Sequence, residues 1–236
     1  MKDDFYKFPS TPHLALLGEI VVRHDKVMSQ SQRDEFLTHD LVIEEKVDGA
    51  NLGISFDSSG NIIAQNRGAY LDYPYSGQWK KLSEWLTPKT DELLEMLTDR
   101  YILFGEWCYA RHSVQYDLMP DWFFGFDVFD KKDEIFLSCR LRDELFREHG
   151  VTSVPLLKRG RFSFDEITGM LSKSRIGNQP AEGLYMRYDA GDRLIERAKL
   201  VRPEFIQAVV EHWSRKRITP NRIARMEIST PASPPS

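Results

Sequence analysis

Runs of β-branched and aromatic residues that alternate with polar ones recur along the chain. They predict strands at 41–46, 50–56, 61–66, 101–107, 122–129, 183–188 and 194–200. A period of two puts successive side chains on opposite faces, so such a run reads as a strand with at least one covered face. Helical periodicity is confined to 78–86, 88–98, 140–149 and 203–216. Thr87 followed by Pro88 reads as an N-cap and a first-turn proline for the second of these helices, and Pro203 opens the last one in the same way. The strands succeed one another in hairpin fashion, with DSSGN at 57–61 as one turn. Strict strand–helix alternation is missing, which argues against a Rossmann arrangement. Glycine-rich phosphate loops of the GxGxxG or GxxxxGKS/T type do not occur. The expected class is α+β, with largely antiparallel sheets and flanking helices.

Length and composition narrow this picture without changing it. A chain of 236 residues suits one substantial domain, and 41% hydrophobic, 29% charged and 12% aromatic residues are ordinary for a globular protein. No apolar run approaches the ~20 residues of a membrane helix. The opening MKDDFYKFPS is charged and mixed, unlike a signal peptide. Cys108 and Cys139 form no CxxC or Cys/His cluster; they suggest a reducing, cytoplasmic setting and argue against structural zinc. The net charge of −4 hides an asymmetry: residues 193–225 hold nine Lys/Arg and three Glu, a net +6, on an otherwise acidic body. Such a basic segment is either a phosphate-binding face or a solvated helix end. The final STPASPPS reads as a disordered tail.

Five short stretches carry candidate chemistry. In EEKVDGAN, at 44–51, Lys46 ends one strand just before a tight Asp48-Gly49 turn. It is either a surface charge at a hairpin or a nucleophile held at a strand end. An amine attacks phosphorus only when neutral, and partial burial with cationic neighbours, such as Arg67 and Lys199, would lower its pKa. Gly49 would permit a sharp turn and close approach of a ligand to the backbone. In FGEW, Glu106 is a carboxylate in an apolar run, suited to a ribose hydroxyl or a metal ion if buried and to solvent if alternation turns it outward. DWFFGFDVFD, at 121–130, is an aromatic strand whose rings belong to the core or stack on a purine. Glu182 in AEGLYMRY enters another apolar strand, and Lys199 sits within the alternating ERAKLVRPEF.

Each motif is weak alone, but their order resembles the signature series of the covalent nucleotidyltransferases: Lys-x-Asp-Gly-x-Asn, an arginine, Phe-Gly-Glu, Phe-Asp-Val, Glu-Gly and a lysine strand. That superfamily contains polynucleotide ligases and mRNA capping enzymes. The flanks, from KFPSTPHL near residue 7 to about residue 205, look most like RNA ligases related to the bacteriophage nick-sealing enzyme. The resemblance implies a nucleotidyltransferase fold, the ATP-grasp-like adenylation domain of ligases. It further implies that Lys46 attacks the α-phosphorus of ATP to form lysyl-AMP, with Mg²⁺ or Mn²⁺ as cofactor. Glu45 would lie along the adenine edge through its backbone, and Asn51 near the phosphates and their metal-bound water. Arg67 would engage phosphate, Glu106 the ribose, Phe126 the adenine face, Glu182 a metal ion, and Lys199 the α-phosphate. Arg187 falls where a basic residue often follows the Glu-Gly pair, and His13 matches a histidine near the start of relatives, with capping or packing as its expected role.

Two departures stand out. Relatives often carry Lys-x-Lys in the last motif, whereas the second position here is Val201; Arg197 or Arg202 would have to supply the charge. Many relatives also add a further domain after the last motif. Here a single adenylyltransferase domain is expected over 1–228, ending in a basic helical segment at about 203–225, with 229–236 as the tail. Arg215, Lys216 and Arg217 in that segment would clamp nucleic-acid phosphates. The expected partners are RNA ends or nicks bearing a 5′-phosphate and a 3′-hydroxyl, with DNA as the alternative and no membrane. The competing readings are a DNA ligase or a GTP-using capping-type enzyme, and a non-catalytic nucleotide- or RNA-binding module that kept the fold.

Overall fold

The computed structural model describes residues 5–18, 26–208 and 218–224. Its nine strands in this region form two fully antiparallel sheets. They are β1 (Leu41–Lys46), β2 (Ala50–Phe56), β3 (Ile62–Gln65), β4 (Tyr101–Trp107), β5 (Phe123–Asp130), β6 (Ile135–Phe136), β7 (Leu156–Gly160), β8 (Gly183–Ala190) and β9 (Arg193–Val201). The first sheet runs β7-β1-β8-β9 and the second β3-β2-β4-β5-β6. All seven strands expected from alternation are present, nearly to the residue. The short β6 and the polar β7, whose sequence LLKRG does not alternate cleanly, carry too little pattern to be read in advance.

Helices cover the outer faces. The first sheet buries Leu41, Ile43, Leu184, Met186, Ala198 and Leu200 with Phe36 of α1 (Gln30–Phe36) and Ile167 of α5 (Phe164–Gly169). Both helices are short, and both begin with a capping box, Ser29/Gln32 and Ser163/Glu166. That S-x-x-E/Q spacing is the signal by which they could have been found. The second sheet packs Leu52, Ile54, Leu103 and Trp107 against α2 (Leu82–Leu86) and α3 (Thr90–Leu97). Thr87 does not cap α3: it closes α2 in helical conformation, and its hydroxyl donates to the Ser83 carbonyl at 2.8 Å. α4 (Cys139–Glu148) is capped by Ser138, and α6 is described over Pro203–Ala208. Residues 218–224 are extended rather than helical, unlike the expected basic helix to about 225.

The inner faces of the two sheets oppose each other. Alternation sends Val42, Glu44 and Lys46 of β1 inward, with Tyr185, Arg187, Arg197 and Lys199 from β8 and β9. The second sheet answers with Asn51, Phe104 and Glu106. β1 and β2 belong to different sheets, so Val47-Asp48-Gly49 is no hairpin turn; it is the link that crosses from one sheet to the other. DSSGN, by contrast, is a hairpin turn between β2 and β3, closed by a bond from the Asp57 amide to the Asn61 carbonyl at 3.0 Å.

Candidate active site

Lys46 is the last residue of β1, at the mouth of the inter-sheet cleft. The link after it is pinned from the second sheet's side. Asp48 accepts hydrogen bonds from the Ser113 and Val114 amides at 2.6 and 2.8 Å, and its own amide donates to the Tyr116 hydroxyl at 2.8 Å. Gly49 is required there because a Cβ would lie 2.8 Å from the Trp107 carbonyl oxygen. The close approach expected of Gly49 is therefore to β4, not to a ligand. Gly183 has the same explanation: a Cβ would meet the Leu200 carbonyl oxygen at 2.2 Å, so glycine lets β8 and β9 close beside Glu182.

Lys46 Nζ donates to Glu182 Oε2 at 2.6 Å, with 22% and 12% of the two side chains exposed. Asn51 and Glu106 are cross-strand partners on β2 and β4, and Asn51 Oδ1 and Glu106 Oε2 are buried without a hydrogen-bond partner. Burial pushes the Glu106 carboxyl up to about 8; the Lys46 charge opposes this, and Glu182 and Asp48 add to it. Burial likewise raises Glu182, against the pull of Lys46. For Lys46 burial disfavours the charge, but Glu182 and Glu106 outweigh it, so the amine is raised above the ordinary lysine value. The expectation of a neutral Lys46 is thus corrected for the ligand-free cleft: the carboxylates, not the cationic neighbours, govern its charge. Lys199 carries the depressed amine, drawn down to about 8 by burial and then by the Lys46 charge.

At the other end the cleft is lined by Phe8, Val154, Phe126 and Tyr185. Phe126 owes its position to a β-bulge: Phe104 pairs with Asp127 and Gly105 with Gly125, so Phe126 is the extra residue. The bulge breaks the alternation and presents the ring to the cleft, 6.5 Å from the Tyr185 ring and tilted 33° to it. Glu45 faces the opposite side of β1. Its carboxylate accepts from Ser174 Oγ at 2.5 Å and the Arg175 amide at 2.7 Å, while its amide donates to the Pro155 carbonyl at 2.8 Å. Only its backbone side is left to a ligand in the cleft.

Lys46, Asn51, Arg67, Glu106, Phe126 and Lys199 line one cavity of about 150 Å³, and Glu182 joins them through its bond to Lys46. Arg67 is exposed at the rim, where it donates to Ser10 Oγ at 3.0 Å. Two basic residues expected at phosphates are placed elsewhere. Arg187 is fully buried, paired with Asp127 and bonded to the Phe126 and Leu137 carbonyls at 2.9 and 3.0 Å. Arg197 bonds the second Asp127 oxygen at 2.7 Å and lies 4.1 Å over the Phe136 ring. Their charges are both spent on Asp127. Arg202 is half-buried and donates to the Ser172 carbonyl at 3.3 Å. Val201, in place of the second lysine, is buried. Arg215, Lys216 and Arg217 lie outside the described residues.

Phe8, Thr11, Val154 and Tyr185 line the cleft without having been singled out. Tyr185 was legible in principle, since it shares the inward face with Gly183 on the strand that follows Glu182. Phe8 and Thr11 reach the site through a tertiary contact that no local pattern carries. Backbone bonds from Lys199 N to the Pro12 carbonyl (2.9 Å) and from Leu14 N to the Lys199 carbonyl (2.8 Å) lay the N-terminal segment along β9. His13 in that segment is buried, and burial with the Lys199 and Lys46 charges lowers its pKa to about 4, so it is neutral at physiological pH.

The oxygen donors suit a hard divalent cation. Two carboxylates and an amide oxygen converge beside Lys46, and two of these atoms, Glu106 Oε2 and Asn51 Oδ1, lack any other partner. Among the described residues no group of three or more His, Cys, Asp or Glu could hold a metal on its own. A cation here would therefore keep water and substrate oxygens in its shell, as Mg²⁺ and Mn²⁺ do with few protein ligands.

Known proteins resemble this arrangement. The sequence model of the RNA ligase family matches residues 39–201. Among solved structures, Naegleria gruberi RNA ligase with PPi superposes with a TM-score of 0.60 at 18% identity, covering 88% of this chain and 65% of that one. A lysine variant of the same enzyme with AMP and Mn gives 0.58 at 18% identity over 86% and 63%. A glutamate variant with ATP and Mn gives 0.59 at 18% identity over 74% and 53%. The chain thus spans between half and two thirds of these enzymes' length. No curated protein sequence matches the chain. At such low identity the structures speak for the shared two-sheet fold, while the family match covers more than half of the sequence and takes in every motif from Lys46 to Lys199. The chain belongs to the RNA ligase family.

Proposed function

We propose that this chain is an ATP-dependent RNA ligase that works through a lysyl-AMP intermediate on Lys46. The observation that carries the reading is the amine at the end of β1, 2.6 Å from Glu182 and beside a buried carboxylate with an unpartnered oxygen. A strand end fixes the amine's position, and the cleft supplies cations and carboxylates around the point where a triphosphate would react. The solved relatives were captured with ATP or PPi, the substrate and leaving group of such a step, or with AMP, the group it transfers.

Lys46 Nζ attacks the α-phosphorus, the bond to the β-phosphate oxygen breaks, and pyrophosphate leaves. The AMP then passes to a 5′-phosphate of RNA, and a 3′-hydroxyl displaces it to seal the strand. Such transfers depend on positioning and charge neutralisation. Lys46 must first shed its proton, and Glu182 Oε2 is the base within reach. Lys199 and Arg67 offer positive charge to the phosphates, Glu106 and Asn51 serve polar groups of the nucleotide or a metal's water shell, and Phe126 stacks on the base. A bound divalent cation supplies Lewis-acid charge at the phosphate oxygens.

The test is the intact mass of the purified protein after incubation with ATP and Mg²⁺ or Mn²⁺. The expected result is a gain of one AMP, absent from Lys46→Ala and with GTP in place of ATP. An equal gain on Lys46→Ala would remove the assignment. Ligation assays with nicked RNA, single-stranded RNA and nicked DNA then identify the substrate, with RNA sealing expected.

A further inference from the structure

We infer that the strap at 218–224 completes the active site, and that Asn221 is a positioning residue for the nucleophile although it touches no part of the cleft. This rests on Lys46 being the nucleophile. The strap lies beyond the residues matched by the family and is exposed except for Asn221, which plugs its side chain into the chain's interior. Asn221 is 2% exposed. Its Nδ2 donates to the Cys108 carbonyl at 2.9 Å, and its Oδ1 accepts from the Tyr116 amide at 2.9 Å. The strap backbone adds bonds from Asn221 N to the Tyr109 carbonyl (3.0 Å), Arg222 N to the Tyr116 carbonyl (3.0 Å) and Ala224 N to the Met119 carbonyl (2.8 Å). Arg111 N donates in return to the Thr219 carbonyl at 2.8 Å.

The segment held in this way, 108–119, has no helix or strand of its own. Buried backbone groups need partners, and here the strap supplies them. The same segment frames the link after Lys46: Ser113 and Val114 bond the Asp48 carboxylate, and the Tyr116 hydroxyl accepts from the Asp48 amide. Tyr116 is the shared residue, its amide held by Asn221 and its hydroxyl by Asp48. The path from Asn221 to Lys46 thus runs through one tyrosine and the two-residue step from Asp48. A nucleophile must hold its approach to within a fraction of an ångström, so a loosened link slows attack without changing the groups that bind ATP. The residues that follow the expected nucleic-acid clamp would thus, over 218–224, help to hold Lys46 in place.

The experiment measures single-turnover AMP transfer to the full chain with ATP and Mg²⁺, for wild type, Asn221→Leu, Tyr116→Phe and the double variant. The expected result is a fall of about 10- to 100-fold in the rate at saturating ATP for Asn221→Leu, with the ATP concentration for half-maximal rate nearly unchanged. Tyr116→Phe should fall in the same direction by less, and the double variant by less than the product of the two, because both act through Asp48. Tyr116→Phe removes a single hydroxyl and carries the test if Asn221→Leu fails to fold. A wild-type rate in folded Asn221→Leu or in Tyr116→Phe overturns the inference, as does a rise in half-saturating ATP at an unchanged maximal rate. A wild-type protein that accepts no AMP overturns the reading of Lys46 as well, which separates the two failures.

Discussion

Two sets of charges lie between the same two sheets and behave differently. In one, Asp127 takes Arg187 and Arg197, and Glu44 takes Arg142 at 2.5 Å; the side chains of Asp127, Arg187, Glu44 and Arg142 are at most 2% exposed. In the other, Lys46, Glu106, Glu182 and Lys199 share one cleft, where Lys46 bonds Glu182 and a Glu106 carboxylate oxygen is buried without a partner. The first set answers each buried carboxylate with a guanidinium and locks the sheets together. Arg142 and Arg187 also grip the Phe126 carbonyl, at 2.6 and 2.9 Å, and so hold the bulge that presents the ring. The second set is held short of neutrality, with Glu106 and Lys199 both displaced to about 8. Burial and charge alone therefore do not set the candidate residues apart; a buried carboxylate oxygen left without a bonded cation in a shared cleft does.

The contrast can be broken from either side. Asp127→Ala should have the largest effect on folding, because it strands two buried guanidinium groups; a loss of about 3–5 kcal/mol in urea unfolding is expected. Glu182→Ala should do the reverse, cutting AMP transfer by about 100-fold in a rapid-quench assay while leaving the urea midpoint near that of wild type. Glu106→Gln sharpens the comparison through pH. The folded carboxyl titrates near 8 against 4.5 for the ordinary group, so between these values the folded state holds the extra proton. Stability contributed by the protonated form is whole below 4.5 and is lost as pH rises through 8, so the ligand-free protein should weaken across that window. Glu106→Gln should flatten the decline and be more stable than wild type at pH 8 by about 2 kcal/mol, measured by urea titration at each pH. Arg67→Ala, at the exposed rim, should cost least: a rise of about threefold in half-saturating ATP with folding unchanged.

Much of this site was legible in the sequence for a specific reason. Lys46, Asn51, Glu106 and Lys199 lie on or at the end of strands that alternation marks, although alternation left open whether Lys46 and Glu106 face solvent or the interior. Where expectation failed, the missing information was long-range. Arg187 and Arg197, expected at phosphates, alternate onto the inward face, but Asp127 from the other sheet pairs with both. Phe126 faces the cleft only because a bulge shifts the β4–β5 register. The charge on Lys46 depends on Glu182, which is 136 residues away in sequence.

The sequence by itself determined the strands and the order of the candidate residues along them, because side-chain alternation and motif spacing are properties of neighbours along the chain. Only the tertiary structure decided that Asp48-Gly49 joins two sheets and not one hairpin, which cations are spent on buried carboxylates, and that Asn221 braces the segment bonded to Asp48. Pairing, desolvation and compensation of charge are set by whichever groups meet across the interior, and distance along the chain says little about that.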